Sequence, residues 1–182
     1  GQTEAARKGQ RIIIGPWSHS GRGSRKVGGV DFGPAAALSV AQTDIRWFDY
    51  WLKGKPNGVD QDAPVRIFIM GANRWLDLTD WPPPNATLTR AYLHQGTGPS
   101  ESSLNNGRLG FDPPAPDEAP DRFTDDPDDP VPSLRVGLFA GPCDHRSVEG
   151  RMLTYTSEPL SRDLSIAGEV RAAATDSHFL FH

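Results

Sequence analysis

Arg11-Ile12-Ile13-Ile14-Gly15-Pro16-Trp17-Ser18-His19 is the stretch on which the reading of this 182-residue chain turns. Three consecutive β-branched residues predict a short strand buried on both faces, the kind found in parallel sheets covered by helices. Gly15-Pro16 stops it, because proline has no N–H for a ladder and glycine permits a sharp turn. Trp17 to Gly33 is rich in glycine and reads as a long loop. His19 therefore stands just beyond the carboxyl end of the predicted strand, where open α/β sheets gather their reactive side chains.

Downstream, Pro34 at a first helical position predicts a helix running through Lys53. Leu38, Ala41, Ile45, Phe48 and Leu52 recur at spacings of three and four and draw one apolar stripe. Asp49 and Lys53 form an i,i+4 pair on the wetter side. Gly54 is placed to end the helix, and Pro56 blocks its continuation. A strand, a loop and an amphipathic helix in that order read as the tail of an α/β unit.

Past Pro56 the texture changes. Val65 to Met70 is strand-like, and further short extended candidates lie at Thr87 to Leu93, around Leu109, at Arg151 to Thr156 and at Ser165 to Ala172. Turn signals at Gly96-Thr97-Gly98 and Asn105-Asn106-Gly107 separate them. Gly and Pro number 19 and 17, and such frequent punctuation suits many short strands better than a helix bundle. The fold expected is thus α/β plus all-β. Residues 1–55 complete an α/β domain, and residues 56–182 begin an incomplete antiparallel β-sandwich of jelly-roll type.

Charge is unevenly placed within a formal net of -4. Residues 1–60 hold nine Lys/Arg against five Asp/Glu, whereas residues 112–129 hold eight acids against Arg122. Residues 112–132 also contain seven of the 17 prolines, which predicts a long solvated excursion rather than a strand. The basic residues are scattered and do not interleave with aromatics, so nucleic-acid binding has no support. No apolar run approaches the roughly 20 residues of a membrane span. Cys143 is the single cysteine, so neither an internal disulfide nor a multi-thiolate metal site is expected.

The ordered motifs point to a family. Gly15-Pro16-Trp17-Ser18-His19-Ser20 resembles the histidine segment of the X-prolyl dipeptidyl aminopeptidase, cocaine esterase and α-amino-acid ester hydrolase family. Arg46-Trp47-Phe48-Asp49-Tyr50-Trp51-Leu52-Lys53-Gly54 resembles the helix that follows it. Val65 to Gly71, Arg74-Trp75 and Asp80-Trp81-Pro82-Pro83 are similar to the opening of the family's C-terminal β-domain. Asp126 to Pro132 resembles a loop of that domain; Asp144, Arg146 and Leu153 to Leu160 resemble a later segment. The match weakens at Cys143 and across Thr175 to Phe179.

The resemblance implies an α/β-hydrolase with a C-terminal jelly roll. Such enzymes cleave esters or X-Pro dipeptidyl amides through a Ser-His-Asp triad, in chain order nucleophile, acid, histidine. Only His19 maps onto a catalytic position. There it would take the serine proton and return it to the leaving group. No Gly-x-Ser-x-Gly occurs in the sequence, so nucleophile, acid and oxyanion tyrosine are expected upstream of residue 1. The chain is accordingly read as an internal piece whose partner is the N-terminal part of the same protein. Its substrate is a small ester or peptide, it needs no cofactor or metal, and its compartment, cytoplasmic or secreted, is left open. No substrate-binding residue can be assigned.

Other residues carry weaker chemistry. Asp125, Asp126, Asp128 and Asp129 could attract calcium but lack EF-hand spacing. His94, His145, His178 and His182 show no ligand spacing. Trp17, Trp47, Trp51, Trp75 and Trp81 could form a sugar-binding platform, or serve as packing. The rival reading is a non-catalytic β-sandwich binding module for carbohydrate, which leaves the strand, the His19 loop and the helix unexplained. A third is a structural piece with no function of its own, since the Arg11 to Gly15 strand shows no evident parallel neighbour in the sequence.

Overall fold

A computed structural model describes residues 3–124, 126–132 and 144–172. Cys143, Asp125, His178 and His182, and the Thr175 to Phe179 stretch, lie outside the described residues. After a short helix α1 (Glu4–Lys8), the isoleucine run forms strand β1 (Ile12–Ile14). Its parallel neighbour lies within the chain after all: β1 pairs with β4 (Val65–Ile69), Ile12 opposite Val65 and Ile14 opposite Ile67. An antiparallel hairpin then joins β4 to β5 (Arg74–Leu78), giving a sheet in the order β1-β4-β5. Strand pairing thus crosses the expected boundary between residues 55 and 56.

Burial of β1 differs from expectation. Ile12, Ile13 and Ile14 are each about two-fifths exposed (42%, 39% and 41%), whereas the central β4 buries Val65, Ile67 and Phe68. An edge strand has one open side, and among the described residues no helix covers both of its faces. The loop between β1 and the helix is less irregular than glycine content suggested. It contains a small antiparallel hairpin, β2 (Lys26–Val27) with β3 (Val30–Asp31), turning on Gly28 and Gly29.

The helix is real but starts later than Pro34. Pro34–Ala36 makes one 3-10 turn, the chain extends at Ala37, and α2 runs from Val40 to Lys53. Two bonds cause the interruption. The Leu38 amide donates to the Gly23 carbonyl at 3.0 Å, and the Ser39 hydroxyl accepts from the Gln42 amide as N-cap. Gly54 ends the helix in the left-handed conformation, with its amide on the Tyr50 carbonyl and that of Lys55 on Asp49. Asp49 meets Lys53 at 2.6 Å as the spacing required, and Lys55 joins it at 3.1 Å.

The predicted apolar stripe of α2 faces outward. Ile45, Phe48 and Leu52 are exposed by 60%, 51% and 75%. The opposite side is held instead: Arg46 is paired with Asp62, and the Asn57 amide donates to the Arg46 carbonyl at 2.7 Å. Those polar bonds fix the helix roll and leave the stripe, like β1, without cover among the described residues.

The remaining strands are short. β6 (Tyr92–His94), β7 (Gly107–Gly110) and β8 (Tyr155–Thr156) form a second three-stranded sheet. It is mixed rather than purely antiparallel, because β7 pairs antiparallel with β6 and parallel with β8. Thr87 to Arg90 and Ser165 to Ala172 form no strand. The C-terminal part is therefore sheet-rich as expected. No helix among the described residues is long and apolar enough to cross a membrane.

Candidate functional site

The loop that carries His19 is built tightly onto the end of β1. Gly15 has no room for a side chain, because a Cβ there would run into the Trp17 indole. Trp17 folds back over it and donates its ring N–H to the Ala36 carbonyl at 3.1 Å. The Gly21 amide then donates to the Ser18 carbonyl at 3.2 Å, closing a turn that contains His19, and the Ser24 amide donates to the Gly21 carbonyl at 2.9 Å, closing a second turn just after it. Gly23 takes a positive φ of 85°, and a Cβ would strike the Leu38 carbonyl. His19 itself is exposed in the first of these turns, five residues past the end of β1. Ser18 is half-buried and Ser20 exposed; each is a sequence neighbour of the imidazole, and adjacency does not make a dyad, since triad partners meet through the fold.

An aromatic nucleus supports this loop from below. Trp17 and Trp75 lie 5.8 Å apart, Phe68 meets Trp75 edge-on at 5.3 Å, and Phe32 meets Phe68 edge-on at 6.4 Å. Ala36 is fully buried beside them. The other three tryptophans part company with these two. Trp47, Trp51 and Trp81 line an open cleft of about 890 Å³ together with Arg11 and Asp80, at the amino end of β1.

A second polar centre surrounds His94, whose sequence context shows no ligand spacing. His94 is buried, with Nδ1 against Glu118 Oε2 at 3.2 Å and Nε2 against the Asp112 carbonyl at 3.0 Å. Glu118 also accepts from the Gln95 amide at 2.7 Å, and Asp121 accepts from the Gly96 amide. Two acids of the proline-rich excursion thus grip the backbone just after β6, so the excursion is fastened rather than merely solvated. Asn105, 3% exposed, donates to Asp121 at 2.7 Å and accepts from the Thr154 amide at 2.9 Å. The signal available was slight: in Tyr92-Leu93-His94 the polar residue takes the inward position, and Leu93 is the exposed one.

The protonation equilibria follow the geometry. The Gln95 amide, then His94, holds Glu118 below the ordinary carboxylate range. Burial first, then the bond to Asp121, pushes Tyr155 up to about 12. A lowered carboxylate pKa stabilises the fold above the ordinary value and loses that contribution as pH falls through the folded value. A raised phenol pKa does so below about 10 and loses it as pH rises through the folded value. Denaturation midpoints should therefore fall at both ends of the pH range, and Glu118→Gln should flatten only the acid limb. An unchanged acid limb in that variant would remove Glu118 from the account.

Elsewhere the candidate residues are locally satisfied. Arg146 holds Asp144 down to about 2 through side-chain bonds, in an exposed turn beside the exposed His145. Asp126 accepts from the Asp128 amide, and Asp129 pairs with Arg151 at 3.0 Å. These bonds are what the acidic segment does in the fold.

The chain is similar to known proteins over most of its length. A family model described as the X-Pro dipeptidyl-peptidase C-terminal non-catalytic domain matches residues 57–175. The cocaine esterase of Rhodococcus sp. (strain MB1 Bresler) is 34% identical over 172 residues, covering 89% of this chain and 29% of that protein. A Mycobacterium bovis (strain ATCC BAA-935 / AF2122/97) protein assigned by name as a serine esterase is 30% identical over 169 residues, covering 89% and 25%. An aminopeptidase structure from the marine sediment archaeon Thaumarchaeota archaeon superposes with a TM-score of 0.48 and 26% identity, covering 80% of this chain and 22% of that one. The chain thus spans between a quarter and a third of the length of the curated relatives.

Proposed function

The chain belongs to the X-Pro dipeptidyl-peptidase and cocaine esterase family, and from that premise we propose that it is part of a serine hydrolase in which His19 is the general base. Residues 1–55 contribute to the α/β-hydrolase domain and residues 56–182 to the jelly roll, with β4 and β5 paired onto β1 across that boundary. Nucleophile and acid come from the N-terminal part of the same protein. The substrate is a small ester or an X-Pro dipeptidyl amide.

The observation that carries this reading is an exposed imidazole on a turn pinned at both ends, at the carboxyl rim of β1. An imidazole so held can receive a proton from a hydroxyl brought to it and deliver that proton to a leaving group. The uncovered isoleucines of β1 and the outward stripe of α2 supply apolar area for the N-terminal part to bury. At roughly 25 cal/mol per Å², such area favours association strongly.

Chemistry by the isolated chain is not expected, since an imidazole with no nucleophile to activate has no covalent route. Turnover of a p-nitrophenyl ester by these 182 residues should match the buffer background, and His19→Ala should leave it there. A rate that depends on His19 in the isolated chain would reveal a nucleophile within it and overturn the division of the triad.

The cleft lined by Trp47, Trp51 and Trp81 favours a second reading, a carbohydrate-binding module. Retention on a glycan array that is lost on Trp81→Ala would support it. No retention would leave the hydrolase reading alone.

A further inference from the structure

We propose that Trp75, in the segment described as non-catalytic, is a positioning residue for His19; this rests on the reading of His19 as the base. Trp75 belongs to β5, on the far side of the sheet from β1. Its ring N–H donates to the Ala35 carbonyl at 2.7 Å, and the Trp17 ring N–H donates to the next carbonyl, Ala36, at 3.1 Å. Two indoles in contact thus hold consecutive carbonyls of the turn that closes the loop begun at Gly15.

The clamp is anchored at one end and active at the other. Trp75 is wedged by Phe68 edge-on at 5.3 Å and by the Arg66 guanidinium 5.1 Å from its ring centroid, both from the central strand β4. Trp17 precedes His19 by two residues and leans on a glycine that tolerates no side chain. Position therefore passes from the sheet through Trp75 to Trp17, and from there along two peptide units to the imidazole. A base must be held within about 0.5 Å of its productive position at hydrogen-bond distance from its proton donor, so slack in its support reduces turnover more than substrate binding.

A packing role alone makes a different prediction, because the ring and not its N–H would matter. Replacing Trp75 by benzothienylalanine keeps the ring's shape and puts sulfur where the N–H was. In the longer protein this should lower kcat for a p-nitrophenyl ester about tenfold while KM stays within about twofold. In the 182-residue chain it should speed amide exchange of residues 17–23 about tenfold and leave β6 and β7 unchanged. Trp75→Phe should reproduce both effects. An unchanged kcat, or a loss confined to KM, overturns the positioning role. The His19→Ala control separates the two layers. If it abolishes turnover while the Trp75 variants do not alter kcat, only the positioning role falls. If it leaves turnover intact, the reading of His19 falls first.

Discussion

In the longer protein, His19→Ala is expected to lower kcat for ester hydrolysis by about ten-thousand-fold while KM changes little. The argument is the division of labour between binding and proton transfer. His19 is exposed, so its removal should change the free energy of unfolding far less than the activation barrier. What it would contribute is the base that converts a hydroxyl to a nucleophile and then the acid that releases the leaving group, and both steps fail together without it. The pH–rate profile carries a second signature. Whichever limb reports the base in the parent should be missing from the residual rate of the variant. Because truncation to alanine leaves open space at an exposed position, added imidazole should restore part of the rate. A loss of less than about tenfold, with an unchanged profile, would transfer the role to another group.

How far the residues disclosed this arrangement depends on the range of the forces involved. β1, the Gly54 helix end and the Asp49–Lys53 pair were legible because each is decided within a few residues. The placement of His19 beyond a strand followed from the same local grammar. The later start of α2 was not legible, because it turns on the Leu38 amide meeting the Gly23 carbonyl across the loop. Nor was the outward roll of the apolar stripe. Periodicity locates a stripe but not its partner, and here Arg46 with Asp62 and Asn57 decides which side packs inward. The parallel pairing of β1 with β4 spans about fifty residues, and an antiparallel hairpin at β4 gives no hint of it. His94 and Asn105 illustrate the same limit for the second polar centre, since their partners Glu118, Asp121 and Thr154 stand 16 to 49 residues away.

That second centre yields the largest stability effect expected of any single side chain here. Asn105→Ala should destabilise the 182-residue chain by about 3 kcal/mol, a sum of two unmade bonds of a buried amide to part-buried partners at about 1–3 kcal/mol each. The amide is the hub of three segments. Its nitrogen donates to Asp121 of the acidic excursion, its oxygen accepts from Thr154 ahead of β8, and its backbone carbonyl accepts from Gly98 beyond β6. Alanine keeps the backbone bond but leaves the Thr154 amide without its acceptor and takes from the half-buried Asp121 one of its partners, the Gly96 amide remaining. Close packing argues that solvent does not simply replace the lost group: a Cβ on Gly96 would overlap the Asn105 carbonyl, and one on Gly107 would meet the Tyr155 ring. Asn105→Asp gives the sharper test. It preserves shape and still accepts from Thr154, yet sets a second carboxylate where an N–H had stood 2.7 Å from Asp121. Two carboxylates that close cannot both ionise cheaply. The aspartate variant should therefore be at least as unstable as the alanine variant at neutral pH and recover relative to it as pH falls and the pair shares a proton. Denaturant midpoints for both variants at neutral and mildly acid pH decide it. A loss below about 1 kcal/mol for alanine, or an aspartate variant indifferent to pH, would mean that the Gly96 amide or water, and not Asn105, holds Asp121 in place.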